Sequence, residues 1–498
     1  MIRWNRFYPF VILALAGLFL PGCRPPAGTP QAAPTSTPIP PLVLQPCNLG
    51  STPAQCGTLR VYENRAAGSG RIIDLRVAVI KASGTDPAPD PIFFLSGGPG
   101  GAATEDAAQG QQFPVDLSER HDLVFVDQRG TGGSHRVALP PSPDLTGMSQ
   151  AQMESTIATW AAKVLREIDM DPRFYTTSIA MDDLDEVRAA LGYQKINLFG
   201  HSYGATAAQY YLRQHEASVR TVVLSGGSLL DTPLFELWTV NGQHALDQTF
   251  ARCAADPACQ AAFPEVRTEF SALLTRLNEK PVTQTFVNPA DQQTASVTYT
   301  GDLLAEVVRV MTLDEQNAVR IPRLIHRAYA LDDWRGINAF FARYGVGDWG
   351  SQIMEREIRC SEKWAVFSPQ EVARLGKGTY LEGWYNKLAG EHALACGLTP
   401  KGETPEGMDA QPHSNVPVLL FNGAADPQNP PENVAGSQKL WPNSLALVEP
   451  YQGHWLSERS EIYCRWSIMT EFIENGSTVG LDTSCLKDVK PRAFDTQN

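Results

Sequence analysis

The strongest pattern along the chain is a set of short apolar runs that end in glycine-rich or polar loops. Residues 91–95 are closed by Ser96-Gly97-Gly98-Pro99-Gly100-Gly101, and residues 122–126 by Asp127-Gln128-Arg129-Gly130. Residues 195–199, 219–224, 416–421 and 445–449 repeat the pattern. Runs this short and this apolar predict parallel strands buried on both faces. Helical stretches are expected between them, at 151–168, 179–191, 205–214 and about 458–474. In the second of these, Asp182, Asp183, Asp185 and Glu186 crowd the first half, where carboxylates complement the helix dipole. Ahead of the set, residues 58–62 and 72–80 alternate in polarity around a Gly/Ser-rich turn and predict a hairpin. From about 230 to 405 the alternation of strand and helix gives way to a Trp-rich, mostly helical region. The expected fold class is therefore α/β, with a mostly parallel, doubly wound sheet interrupted by an inserted helical cap. Its parts run over 47–230 (first part of the core), 231–405 (cap) and 406–498 (second part of the core).

The first 22 residues carry Arg3 and Arg6, an apolar run over 10–20 and then Pro21-Gly22-Cys23, the layout of a cleaved export signal. That run is too short to span a bilayer comfortably. Small residues beside a cysteine resemble the lipobox of bacterial lipoproteins, which implies a lipid on Cys23, although Pro21 departs from the small residue usual at its position. Arg24, where an Asp is absent, leans toward the outer membrane. The expected location is thus the bacterial cell envelope, at the outer membrane or the periplasmic face, with an N-terminal lipid as the membrane contact. Residues 23–46, rich in Pro, Thr, Ala and Ser, are expected to form an extended tether.

The formal charge of −13 becomes −15 once Arg3 and Arg6 are removed, because residues 1–22 contain no acid. Such a surface is a poor match for nucleic acid, and none is expected as a partner. Cys23 aside, eight cysteines remain, and in an oxidising compartment their clustering favours local disulfides: Cys47 with Cys56, Cys253 with Cys259, Cys360 with Cys396, and Cys464 with Cys485. A structural zinc site would want close CxxC pairs, which the sequence lacks, so no metal is expected.

Gly200-His201-Ser202-Tyr203-Gly204 sits between a predicted strand and a predicted helix. The pattern alone is weak, but its placement is informative: a tight strand-to-helix turn holds a serine exposed above the sheet and needs small neighbours. A serine hydroxyl becomes nucleophilic when a histidine, oriented by an acid, removes its proton. In this architecture the chain order is Ser, acid, His. His454 follows the last predicted strand, and Asp426 follows the strand before it; Glu432 and Glu449 are the alternative acids. Acyl transfer also needs two donors for the developing oxyanion. The Tyr203 N–H supplies one, and the Gly98 N–H, with Gly97 as the alternative, supplies the other. A rival reading of 98–103 as a dinucleotide fingerprint ending at Asp127 leaves Ser202, Asp426 and His454 unexplained, and no cofactor is expected. A zinc-protease reading fails because His215-Glu216 lacks the second histidine. Arg129 is expected to brace the surrounding loops.

Ser-Gly-Gly-Pro-Gly at 96–100, Asp-Gln-Arg-Gly-Thr-Gly at 127–132, Gly-His-Ser-Tyr-Gly-Ala at 200–205, Asp426 and Gly453-His454 together resemble the prolyl iminopeptidase and tripeptidyl aminopeptidase branch of the α/β-hydrolases. The resemblance implies hydrolysis of short peptides from a free amino terminus, releasing Pro/Ala-type residues or tripeptide units, with acidic side chains receiving the substrate ammonium. Glu357 and Glu362, near Glu355 in the cap, lie in a segment resembling the acid-bearing stretch of those enzymes. Two departures stand out: Ser96 where prolyl iminopeptidases usually carry His, and Ser225 where Asp is common. The alternative function is a carboxylesterase or amidase on small non-peptide substrates. A catalytically silent peptide-binding lipoprotein is the third class, and the sequence is silent on oligomeric state.

Overall fold

The computed structural model describes residues 40–497 apart from 110–113, 138, 141–142, 144, 146–147, 289–291, 346–351, 403 and 456–458. The signal segment 1–22 and Cys23 therefore lie outside the described residues.

The sheet has nine strands: β1 (Gln45–Leu49), β2 (Thr52–Tyr62), β3 (Ile72–Ile80), β4 (Ile92–Leu95), β5 (Leu123–Val126), β6 (Ile196–His201), β7 (Val219–Ser225), then β10 (Val418–Gly423) and β11 (Ser444–Glu449), with β8 (Val282–Val287) and β9 (Thr294–Tyr299) forming a separate antiparallel hairpin. Spatial order is β1-β2-β3-β5-β4-β6-β7-β10-β11. Pairing is antiparallel up to the β3–β5 contact and parallel from β5 to β11. The helices that matter below are α1 (Ala103–Ala108), α2 (Gln150–Glu167), α3 (Thr177–Ala190), α4 (Tyr203–His215), α5 (Leu234–Ala255), α6 (Gly301–Met311), α7 (Gln352–Ser361), α8 (Glu382–Leu398) and α9 (Arg459–Asn475).

Period-two alternation within the short strands explains why they read as continuous apolar runs. Phe93 and Leu95 of β4 pack into one core with Met181 and Leu184 of α3 and Ala207 and Tyr211 of α4. Ile92 and Phe94 point the other way, into a second core with Ala103 and Ala107 of α1 and Ile468 and Phe472 of α9. A strand covered on both faces has no solvent side on which to place polar residues. Between β7 and β10 the chain leaves the sheet, and α5, α6 and their neighbours bury a third core around Phe250, Phe270, Val308 and Ile321. The β8–β9 hairpin in that segment was not expected: its Thr-rich strands are half exposed and carry no long apolar run.

Disulfides join Cys47 to Cys56, Cys253 to Cys259, Cys360 to Cys396, and Cys464 to Cys485. The first closes β1 onto β2, and the third ties α7 to α8. No helix among the described residues is long and apolar enough to cross a membrane.

Candidate active site

The carboxyl ends of β4, β6, β7, β10 and β11 converge, and each contributes a loop to one site. Ser202 follows β6 directly at φ 56° and ψ −123°, a conformation a non-glycine residue adopts only when its surroundings enforce it. Two glycines make the turn possible. A Cβ on Gly200 would stand 2.2 Å from the Gly204 carbonyl oxygen, and one on Gly204 would stand 2.0 Å from that of Leu95. The Ser202 N–H donates to the Ser225 carbonyl at 2.9 Å, tying the turn to β7. Tyr203 opens α4, so its N–H belongs to the helix end whose amides have no intrahelical acceptor.

The Gly97-Gly98 loop presses on this turn from β4. A Cβ on Gly97 would lie 3.2 Å from Ser202 Cβ, and Gly98 has φ 122°. Ser96 anchors the loop by donating its hydroxyl to Asp106 of α1 at 2.5 Å. Burial, opposed by that hydrogen bond, raises the Asp106 carboxyl above its usual range.

His454 and Asp426 meet against the loop after β7, where a Cβ on Gly226 would touch both. His454 Nδ1 lies 2.7 Å from Asp426 Oδ2, both side chains being almost fully buried. The second oxygen of Asp426 accepts the N–H groups of Gln428 at 2.8 Å and Asn429 at 2.9 Å, so the carboxylate is fixed in position. Asn429 in turn donates to the Gly226 carbonyl at 2.6 Å, fastening the acid loop to the loop after β7. Gly453 has no room for a side chain: a Cβ there would stand 2.5 Å from the carbonyl oxygens of Thr312 and Leu313, just past α6. The alternative acids are placed elsewhere. Glu449 is ion-paired with Arg465 of α9, and Glu432 is exposed.

Arg129 is fully buried and braces the loops. It forms a two-pronged pair with Asp183, at 2.6 and 2.8 Å, and donates to the carbonyls of Glu63 and Phe174. Asp127 accepts from the Thr104 N–H and hydroxyl and from the Gly133 N–H, so the acid required by a dinucleotide reading is turned inward.

Glu357 and Glu362 do not come together at the site. Glu362 is buried and accepts from the Thr177 N–H at 2.6 Å, the Thr177 hydroxyl at 2.9 Å and the Trp364 indole at 2.6 Å. Thr177 passes this network to the Tyr203 hydroxyl at 3.0 Å, which also meets Gln128 at 3.1 Å. Glu357 accepts from the Ser361 hydroxyl and the Gly402 N–H. Burial pushes both carboxyls up to about 7. Closed by internal donors, they fit a role in holding this segment against Thr177 and Gly402 better than one in meeting a substrate ammonium. Asn429, Thr177 and Arg465, which shape the site, gave no local signal in the sequence because Gly226, Glu362 and Ser225, to which they donate, are remote along the chain.

A family model described as alpha/beta hydrolase fold matches residues 90–460. The chain is 28% identical over 225 residues to serine protease Hip1 of Mycobacterium tuberculosis, covering 41% of this chain and 42% of that one. It is 28% identical over 222 residues to tripeptidyl aminopeptidase of Streptomyces lividans, covering 40% and 39%. It is 21% identical over 369 residues to proline iminopeptidase of Xylella fastidiosa, covering 74% and 84%. The match thus spans less than half the length of the first two relatives.

Proposed function

This chain belongs to the α/β-hydrolase fold family, and on that premise we propose that it is a serine exopeptidase that removes N-terminal residues from short peptides through an acyl-enzyme on Ser202. The observation that carries the proposal is the buried 2.7 Å contact between His454 and Asp426, with the His454 ring 5.0 Å from that of His201, the neighbour in the chain of a serine held at a strained strand-to-helix turn. Asp426 fixes the imidazole orientation and favours its cation; His454 takes the Ser202 proton as the hydroxyl adds to the carbonyl carbon. The N–H groups of Tyr203 and Gly98 receive the oxyanion. His454 then gives the proton to the leaving amine, and a water activated by the same imidazole releases the acyl group. Two of the three relatives described above are named for aminopeptidase or iminopeptidase activity, which supports peptides as the substrate class. The four disulfides support export to an oxidising compartment, with lipid attachment at Cys23 part of the same proposal.

One observation favours the second reading, an esterase or amidase on small neutral substrates. The two cap acids that would mark an amine receptor are closed by internal donors. Chromogenic amides of Pro, Ala and Ala-Ala-Pro, their N-acetylated forms and a nitrophenyl ester separate the readings, with Ser202→Ala as control. Cleavage of the free-amine amides alone, lost in the control, is the expected result. Equal turnover of blocked amides, or of the ester only, would establish the esterase reading instead.

A further inference from the structure

His201 precedes Ser202 and is not used by the steps above, yet its ring sits at the centre of the site. Its centroid lies 5.0 Å from that of His454, and a Cβ on Gly97 would touch its Cδ2 at 3.8 Å. It therefore packs against both the base and the loop that carries the Gly98 N–H. His201 Nδ1 faces the Ser225 hydroxyl at 3.3 Å, and that hydroxyl accepts from Arg465 Nη1 at 2.8 Å. Arg465 comes from α9, more than two hundred residues away along the chain. Its guanidinium stacks on Phe421 of β10 and is neutralised at its far edge by Glu449, leaving one edge turned toward Ser225.

The charged and titratable groups around His201 are thus His454, Arg465, Glu449 behind Arg465 and Asp426 behind His454. No carboxylate is in direct contact with its ring among the contacts described. Desolvation, with the His454 and Arg465 charges, holds His201 well below the usual histidine range. A proton there would oppose the imidazolium that His454 must become when it takes the Ser202 proton.

We propose that Ser225 and Arg465 are positioning residues that hold His201 uncharged against His454, so that His454 alone sets the acid limb of nucleophile activation. The inference rests on the serine-hydrolase reading of Ser202 and concerns how that serine is kept active toward lower pH. Ser225 gives the ring a neutral polar neighbour, and the paired Arg465 supplies a nearby positive charge without adding net charge to the site.

The test is the pH dependence of the second-order rate of labelling by a fluorophosphonate, measured on the full chain. Wild type is expected to lose rate at low pH with the slope of one proton. Ser225→Asp, which places a carboxylate at His201, is expected to move the limb up by about one pH unit or to give it a two-proton slope. Adding His201→Asn to Ser225→Asp is expected to restore the single-proton limb. A folded Ser225→Asp variant with the wild-type limb, or a shifted limb that persists in the double variant, would overturn the proposal. Should Ser225→Asp fail to fold, the Arg465→Gln/Glu449→Gln pair decides: a limb moved up supports the proposal, and an unmoved one overturns it. Absence of Ser202 labelling in wild type would instead refute the functional reading on which it rests.

Discussion

A Cβ added to Gly226 would stand 3.1 Å from both Nδ1 and Cε1 of His454, at a residue whose φ is 56°. The loop after β7 thus forms one wall against the imidazole, and the Asp426 contact forms another. Gly226→Ala is expected to strain the loop and push the ring away from Asp426. Rates of fluorophosphonate labelling and of turnover should fall by about 100-fold, with KM nearly unchanged. An unchanged rate would show that the ring tolerates displacement and that this wall is not what positions it.

Asp426 accepts two backbone N–H groups besides the imidazole, so its isosteric amide keeps the shape of the loop while losing the charge. Asp426→Asn is expected to lower kcat by about 10⁴ through the wrong imidazole tautomer and a less favoured imidazolium. The thermal unfolding midpoint should change little in comparison. A loss below tenfold would transfer the orienting role to another acid.

Much of this arrangement is legible in the sequence. The strands under the site read as apolar runs because both faces are covered, and the Gly-x-Ser-x-Gly turn was placed by its position between a run and a helix. Boundaries moved by a few residues where a cap decides them: α4 begins at Tyr203 rather than 205 because the turn at Ser202 already points its amides along the helix. The β8–β9 hairpin alternates in burial residue by residue, and that short period-two pattern was obscured by the helical stretches around it. Asn429 and Arg465 escaped for a different reason. Each acts on a partner about two hundred residues or more distant, and only the folded sheet brings the ends of β7, β10 and β11 together.

Glu357 offers a test of the buried cap acids that is independent of catalysis. Its carboxyl is raised by burial from 4.5 to about 7, so the folded state holds the proton more tightly than the unfolded chain. The contribution of this group to stability is fully present below about pH 4.5 and is lost as pH rises through about 7. Relative to Glu357→Gln, the wild-type protein should therefore lose stability over that interval, by on the order of 3 kcal/mol in all. Urea unfolding of both proteins at pH 5 and pH 8 measures the change. A constant difference between them would show that Glu357 is not desolvated.

The Cys360–Cys396 disulfide closes a separation of 36 residues and links α7, the helix that carries Glu357, to α8. Replacing both cysteines with serine is expected to destabilise the protein by about 4 kcal/mol on the chain-entropy relation. A lowered thermal midpoint with Ser202 still labelled at moderate temperature is the predicted outcome. Unaltered stability would mean that α7 and α8 are held by packing alone.

Whether Ser202 is the nucleophile is decided by reacting the folded protein with a fluorophosphonate and locating the adduct by peptide mass mapping. One adduct is expected, on the peptide containing Ser202, formed at least about 100-fold more slowly in His454→Ala. An adduct on a different residue, or none on the folded protein at neutral pH, would contradict it.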